Sequence, residues 1–120
     1  RHQSGAILMH DIRNLTEEYV GAFDARDLDK VASYLTNDFE LTDPEISSLT
    51  PKGKVLNYIS GIFDAHKTLN FVAHTIFING NASVIHFTLT LDELVFDGVD
   101  IITWRDRQMT SMKAYLTPRK

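Results

Sequence analysis

An α+β fold, with an antiparallel sheet and helices gathered on one of its sides, is predicted by three features of this chain. Apolar residues recur at helical spacing through most of the first half. After Thr68 the pattern changes to strand-like alternation and keeps it to Leu116. Within that second half Asn79-Gly80 is a strong hairpin signal, so consecutive strands are joined by tight turns rather than by helical crossovers.

From Ala6 to about Arg26, the residues Leu8, Ile12, Leu15, Tyr19 and Phe23 form one stripe of an amphipathic helix. Tyr19 lies on that buried stripe, where its hydroxyl either finds a partner or reaches water at the rim. Asp27 caps a second, short helix carrying Leu28, Val31, Ala32 and Leu35, and Thr36-Asn37-Asp38 ends it in turn chemistry. The two helices are expected to pack as a hairpin. Phe39 to Thr42 alternates like a short strand and stops at Asp43-Pro44, which sets Asp43 at a strand end; Glu45 to Leu49 reads as loop.

Thr50-Pro51 has the form of a helix start, a capping hydroxyl before a proline at the first helical position. Val55, Ile59, Ile62 and Phe63 make the stripe of this third helix, and His66 with Lys67 suits the negative end of its dipole. Strands then run from Leu69 to Ile78 and from Asn81 to about Asp92. The next reversal is either Asp92-Glu93, with Asp97-Gly98 as a bulge, or Asp97-Gly98 itself. Arg105 to Gln108 links the strand from Gly98 to Trp104 to a last strand, Met109 to Leu116. Lys113 there faces outward, Met112, Ala114 and Leu116 face the core or cavity, and Thr117-Pro118 ends the sheet.

The stretch Gly98 to Trp104 sets one carboxylate, Asp100, in an otherwise apolar strand, on the same face as Ile102 and Trp104. A charge in that position pairs, gives up its ionisation, or lines a cavity; the alternative is an acid facing an edge or loop.

At 120 residues the chain has the length of one domain, and a composition of 43% hydrophobic and 23% charged residues with a net charge of −4 is ordinary for a globular protein. Scattered basic residues point away from nucleic acid, and no apolar run has membrane-spanning length. The absence of cysteine removes thiolate chemistry and fits a cytoplasmic location. Arg1 to Gly5 read as a disordered end or a cloning remnant. Five histidines raise the question of metal, but there is no His-Glu-x-x-His and no calcium loop. His74 and His86 stand on one face only if the hairpin turn takes in Asn81, and no metal or other cofactor is expected. No Gly-x-Ser-x-Gly, phosphate loop or dinucleotide fingerprint is present.

What remains is an oxygen constellation of Tyr19, Asp43 and Asp100. With the run from Glu18 to Val31, the Asp43-Pro44 pair and the closing segment Thr110 to Tyr115, it resembles the nuclear transport factor 2-like superfamily, and within it the ketosteroid isomerases. The resemblance runs from Asp11 to Tyr115. It implies a cone-shaped, curved antiparallel sheet with the three helices of the N-terminal half on its concave face, as in cystatin-like folds. It also implies that Asp43 is a general base beside a carbonyl, with Tyr19 and a protonated Asp100 donating to the enolate oxygen. The chain departs from those isomerases at Leu35, where they carry a supporting tyrosine and this chain has Tyr34 one position away, and in the loop from Pro44 to Thr50.

The expected pocket is closed by the first and third helices and takes a small apolar or weakly polar ligand. Its lining is assigned to Ile59, Phe63, Val84, His86, Ile102, Trp104, Met112, Ala114 and Leu116. The activity implied is that of a ketosteroid-isomerase-like isomerase or a SnoaL-like polyketide cyclase. The alternative is a non-catalytic ligand-binding or interaction module. Because neither face of the long strands is frankly polar, a homodimer through the sheet is expected.

Overall fold

A computed structural model describes residues 5–119, with side chains from residue 11 onward. Gly5 belongs to the first helix, while Leu8 and the segment before Gly5 lie outside the side chains and residues described. The elements are α1 (Gly5–Asp24), α2 (Leu28–Ser33), β1 (Leu35–Asp43), β2 (Ile46–Leu49), α3 (Lys52–Ala65), β3 (Leu69–Asn79), β4 (Ala82–Leu91), β5 (Leu94–Arg105) and β6 (Gln108–Pro118). The strands form one curved six-stranded sheet in the order β2-β1-β6-β5-β4-β3, which does not close into a barrel.

Every neighbouring pair is antiparallel except β1 and β6, which run parallel, with Leu41 opposite Met112. The sheet is therefore mixed rather than wholly antiparallel. Parallel pairing needs a long crossover, and here everything from β2 to β5 supplies it. Leu35 to Asp38, read as helix end and turn, belong to β1, where the pairing with β6 is irregular between Leu35 and Glu40. Residues 46–49, read as loop, form a short edge strand. Its two central serines are exposed and only Ile46 and Leu49 pack inward, which leaves no alternation to detect.

Asp27 caps α2 as expected, accepting from the Lys30 amide. Pro51 rather than Thr50 occupies the cap of α3, after a cis peptide bond, and the Thr50 hydroxyl reaches the Asp38 carbonyl instead. Arg26 ties the end of α3 to the rest of the fold. Its guanidinium donates to the carbonyls of Phe63 at 2.9 Å, His66 at 2.8 Å and Lys67 at 2.8 Å, groups that the helix leaves without internal partners. His66 turns its Nδ1 toward Asp92 at 3.0 Å, so it joins the helix end to the β4-β5 turn.

The β3-β4 turn is Gly80-Asn81, one residue later than the dipeptide suggests, since Asn79 pairs with Ala82. Gly80, at φ 60°, supplies the left-handed conformation at the first turn position. An extra residue at His74 bulges β3 between the pairs Ala73–Phe87 and Thr75–His86. That bulge, rather than a longer turn, brings the His74 and His86 rings to 5.3 Å on the outer face. His74 Nε2 lies 2.7 Å from the Thr88 hydroxyl, which donates to Asp97, itself held by Arg119. The pair thus belongs to a surface hydrogen-bond network. Among the described residues no group of three or more metal-ligating side chains is assembled.

Asp92-Glu93 makes the next reversal, with Leu91 opposite Leu94. Gly98 is neither turn nor bulge; it pairs in register with Phe87 and Leu116. A Cβ at Gly98 would stand 2.7 Å from Phe87 Cζ and from Leu116 Cβ, and closer still to the Tyr115 carbonyl oxygen. Backbone on one side leaves no room to relax. Gly98→Ala is therefore expected to destabilise the protein by about 1–3 kcal/mol, read as a lower midpoint in urea unfolding with an unchanged slope.

The core lies between the helices and the inner face of the sheet, where Ile85, Phe87 and Ile102 are buried with Val31 and Val55. At its far end a buried polar chain is fully satisfied. Trp104 Nε1 donates to Ser83 Oγ at 2.9 Å, the Ser83 and Thr16 hydroxyls lie 2.9 Å apart, and Thr16 donates to the Ile12 carbonyl at 2.7 Å.

Candidate functional site

Three elements bring Tyr19, Asp43 and Asp100 to one cavity of about 90 Å³, walled mainly by Phe23, Leu41, Ile59, Phe71, Phe87 and Met112. Tyr19 reaches it from the buried stripe of α1, Asp43 from the end of β1, and Asp100 from the middle of β5, between Ile85 on one side and Ala114 on the other.

Asp100 is 4% exposed, and no hydrogen bond to its carboxyl is formed among the described residues. Burial, and then the nearby Asp43 carboxylate, push its carboxyl up to about 8. Near neutral pH it is mostly protonated, which makes it a donor. Tyr19 is equally buried, and its hydroxyl donates to the Met112 sulfur at 4.0 Å. Burial and the Asp100 charge hold the phenol well above its ordinary range, so it too stays protonated. Tyr19 itself is one of the residues that line the cavity.

Asp43 is held differently. Its Oδ1 accepts from the backbone amides of Glu45 at 2.8 Å and Ile46 at 3.0 Å, closing the Asp43-Pro44 turn, and its Oδ2 accepts from the Tyr58 hydroxyl at 2.7 Å. Burial, followed by the bond and charge of Asp43, raises Tyr58 above the usual phenol range. Tyr58 was not anticipated as a site residue. Its signal was faint: it lies beside Ile59 and one turn before Ile62, at the edge of the α3 stripe.

Of the assigned lining, Ile59, Met112, Ala114 and Leu116 border the cavity. Val84 and His86 do not. They sit on the outer face of β4, because Asp100 pairs with Ile85, and Ile85, Phe87 and Leu89 are the inward residues. Phe63 packs edge-on against Phe23 in the core, and Ile102 is fully buried outside the cavity wall. Trp104 is held by Ser83 at the opposite end of the core. Tyr34 donates to Glu18 at 3.0 Å and does not support Tyr19.

A family model for the SnoaL-like domain matches residues 16–112, which takes in all three cavity groups. The chain belongs to the SnoaL-like family. No curated protein matches it. Among solved structures, this SnoaL-like chain is similar to a candidate ketosteroid isomerase from Kribbella flavida, with a TM-score of 0.82 and 15% identity over 93% of this chain and 82% of that one. It is similar to an LEH-like epoxide hydrolase from M. tuberculosis, with a TM-score of 0.78 and 17% identity over 91% and 84% of the two chains. A candidate SnoaL-like polyketide cyclase from Shewanella denitrificans gives 0.77 and 12% over 88% and 90%. At these identities the likeness establishes the NTF2-like fold of the SnoaL-like chain and nothing finer. None of its described helices is long and apolar enough to cross a membrane.

Proposed function

We propose that this SnoaL-like protein is an isomerase of ketosteroid-isomerase type, moving a proton on a carbon beside a carbonyl. The observation that supports it best is the pairing of two carboxyls in one apolar cavity with opposite surroundings. Asp43 accepts three hydrogen bonds, whereas Asp100 has none among the described residues and is pushed up to about 8. One acid is suited to take a proton and the other to donate one. A substrate oxygen between Tyr19 and Asp100 would gain two donors as negative charge develops on it, each typically worth a few kcal/mol of barrier. The carbon that loses its proton would then face Asp43.

Tyr58 shapes that step, because its proton occupies Oδ2. Asp43 attacks either through the second lone pair of that oxygen or after Tyr58 swings away. The test is a turnover assay on an unsaturated cyclic ketone beside equilibrium binding of phenol, a flat mimic of the enolate. Turnover with phenol as a competitive inhibitor is expected; phenol binding without any turnover would favour the ligand-binding module.

The same reading includes a homodimer through the outer face of the sheet. Val72 (48% exposed), Phe77 (61%), Ile101 (39%) and Tyr115 (56%) all lie there, apolar area that a monomer would leave wet. Sedimentation at tens of micromolar is expected to give the dimer mass, and a monomer at that concentration would remove this part of the proposal.

A further inference from the structure

We infer that His74 and His86 form a zinc-binding clip on the outer face of the sheet, with the His74 ring preset for the metal by the side chains behind it. The site lies across the sheet from the cavity and does not rest on the proton-transfer reading. Both histidines are exposed, and the bulge in β3 is what sets them side by side. Spacing along the chain gave no metal motif; the pair exists only through the strand register.

Distance is the first observation. Zinc binds an imidazole nitrogen at about 2.0–2.1 Å, and the ring centre lies about 1.1 Å beyond it, so two rings on one tetrahedral zinc have centres roughly 5 Å apart. The His74 and His86 centres are 5.3 Å apart, and the rings are tilted by 54° rather than stacked. Coordination at right angles, the preference of copper(II), would ask for about 4.5 Å, so zinc is the better match.

The second observation is independent and concerns protons. Arg119 donates to both oxygens of Asp97, at 2.9 and 2.7 Å, which marks that carboxyl as ionised and able only to accept. Asp97 stands opposite Thr88 in the β4-β5 pairing, and Thr88 gives its one hydroxyl proton to Asp97 Oδ1 at 2.9 Å. Thr88 must then accept from His74 Nε2, which lies 2.7 Å away. A neutral imidazole carries one N–H, so this chain leaves the lone pair of His74 on Nδ1. Metal-bound histidines are oriented in the same way, one ring nitrogen donating to a fixed acceptor while the other binds. His86 makes no ring hydrogen bond among the described residues, which leaves it able to turn to the same ion. Two imidazoles supply half of a tetrahedral shell, and water completes it.

The test is titration of zinc ion into the full chain at about pH 7.5, in competition with a fluorescent chelator. Protein is kept at about one micromolar, below the concentration at which the dimer is tested, so that the face is open. One zinc per chain is expected. His74→Ala and His86→Ala should each weaken binding about tenfold or more, and His66→Ala should leave it unchanged. Thr88→Val removes the acceptor for the His74 Nε2 proton and is expected to weaken binding about tenfold, with Thr88→Ser restoring it. Both histidines are exposed, so without zinc their variants should keep the urea midpoint of the unaltered protein; zinc should raise that midpoint only where both rings are present. No bound zinc, or zinc held by His74→Ala or His86→Ala as tightly as by the unaltered protein, an adventitious ion only, would overturn the inference. Unchanged affinity in Thr88→Val would overturn the role given to the hydrogen-bond chain.

Discussion

Replacing Asp43 by Asn is expected to lower turnover of an unsaturated ketone by about 10²–10⁴-fold while phenol binding is kept or strengthened. The amide has nearly the shape of the carboxylate. Its oxygen can keep accepting from the Glu45 and Ile46 amides, and its NH₂ can donate to the Tyr58 oxygen, so the turn and α3 should stay in place. What is lost is the basic lone pair that takes the proton. Removing a negative charge next to a developing oxyanion does not weaken a bound enolate mimic, so binding and turnover should separate. Paired loss of both would point to a collapsed site instead, and unchanged turnover would exclude Asp43 as the base.

The second large effect concerns Asp100, in stability as well as chemistry. Its carboxyl titrates at about 8 in the folded protein and at about 4 when unfolded. Between those values the native state holds a proton that the unfolded state has released. The contribution of Asp100 to stability is therefore most favourable below about pH 4, falls as the pH rises, and levels off above about pH 8. Asp100→Asn removes this dependence. Relative to the unaltered protein, the variant should gain stability between pH 5 and pH 8, by up to several kcal/mol, in urea unfolding at each pH. Taking the difference between the two proteins cancels the other titrating groups. A difference that does not change with pH would mean that Asp100 is ionised in the native state and cannot donate.

In function the variants should rank differently. Asp100→Asn still donates a hydrogen bond, so turnover should fall only by the quality of one donor, whereas Asp100→Leu removes the donor and should lower both turnover and phenol binding further. A leucine that stabilises the fold and leaves binding intact would make Asp100 only a buried acid without a role. In the unaltered protein, turnover should decline as the pH rises through about 8, where Asp100 loses its proton.

Much of this was legible in the residue pattern because burial leaves periodic traces. The stripe through Ile12, Leu15, Tyr19 and Phe23 fixed the inward face of α1, and Asp100 stood out because acids are costly in apolar strands. What was not legible depended on single-residue register. Once Asp92-Glu93 is the turn, pairing runs from Leu91–Leu94 to Ile85–Asp100, and the inward face of β4 follows; with the turn ambiguous, both faces looked apolar and Val84 and His86 were placed inside. The bulge at His74 is likewise invisible without the partner strand. The parallel pairing of β1 with β6 joins residues about seventy positions apart and has no local signature. Tyr58 was missed because a tyrosine at the edge of a helical stripe reads as core until the Asp43 turn is seen beside it.

The most direct measurement is exchange of hydrogen for deuterium at the carbon beside the carbonyl of a neutral, phenyl-substituted cyclohexenone in heavy water, followed by NMR. Proton transfer at the cavity requires exchange well above the buffer rate with the unaltered protein, near the buffer rate with Asp43→Asn, and intermediate with Asp100→Asn. Exchange at the buffer rate with a ketone shown to bind, or exchange that survives Asp43→Asn undiminished, would contradict it.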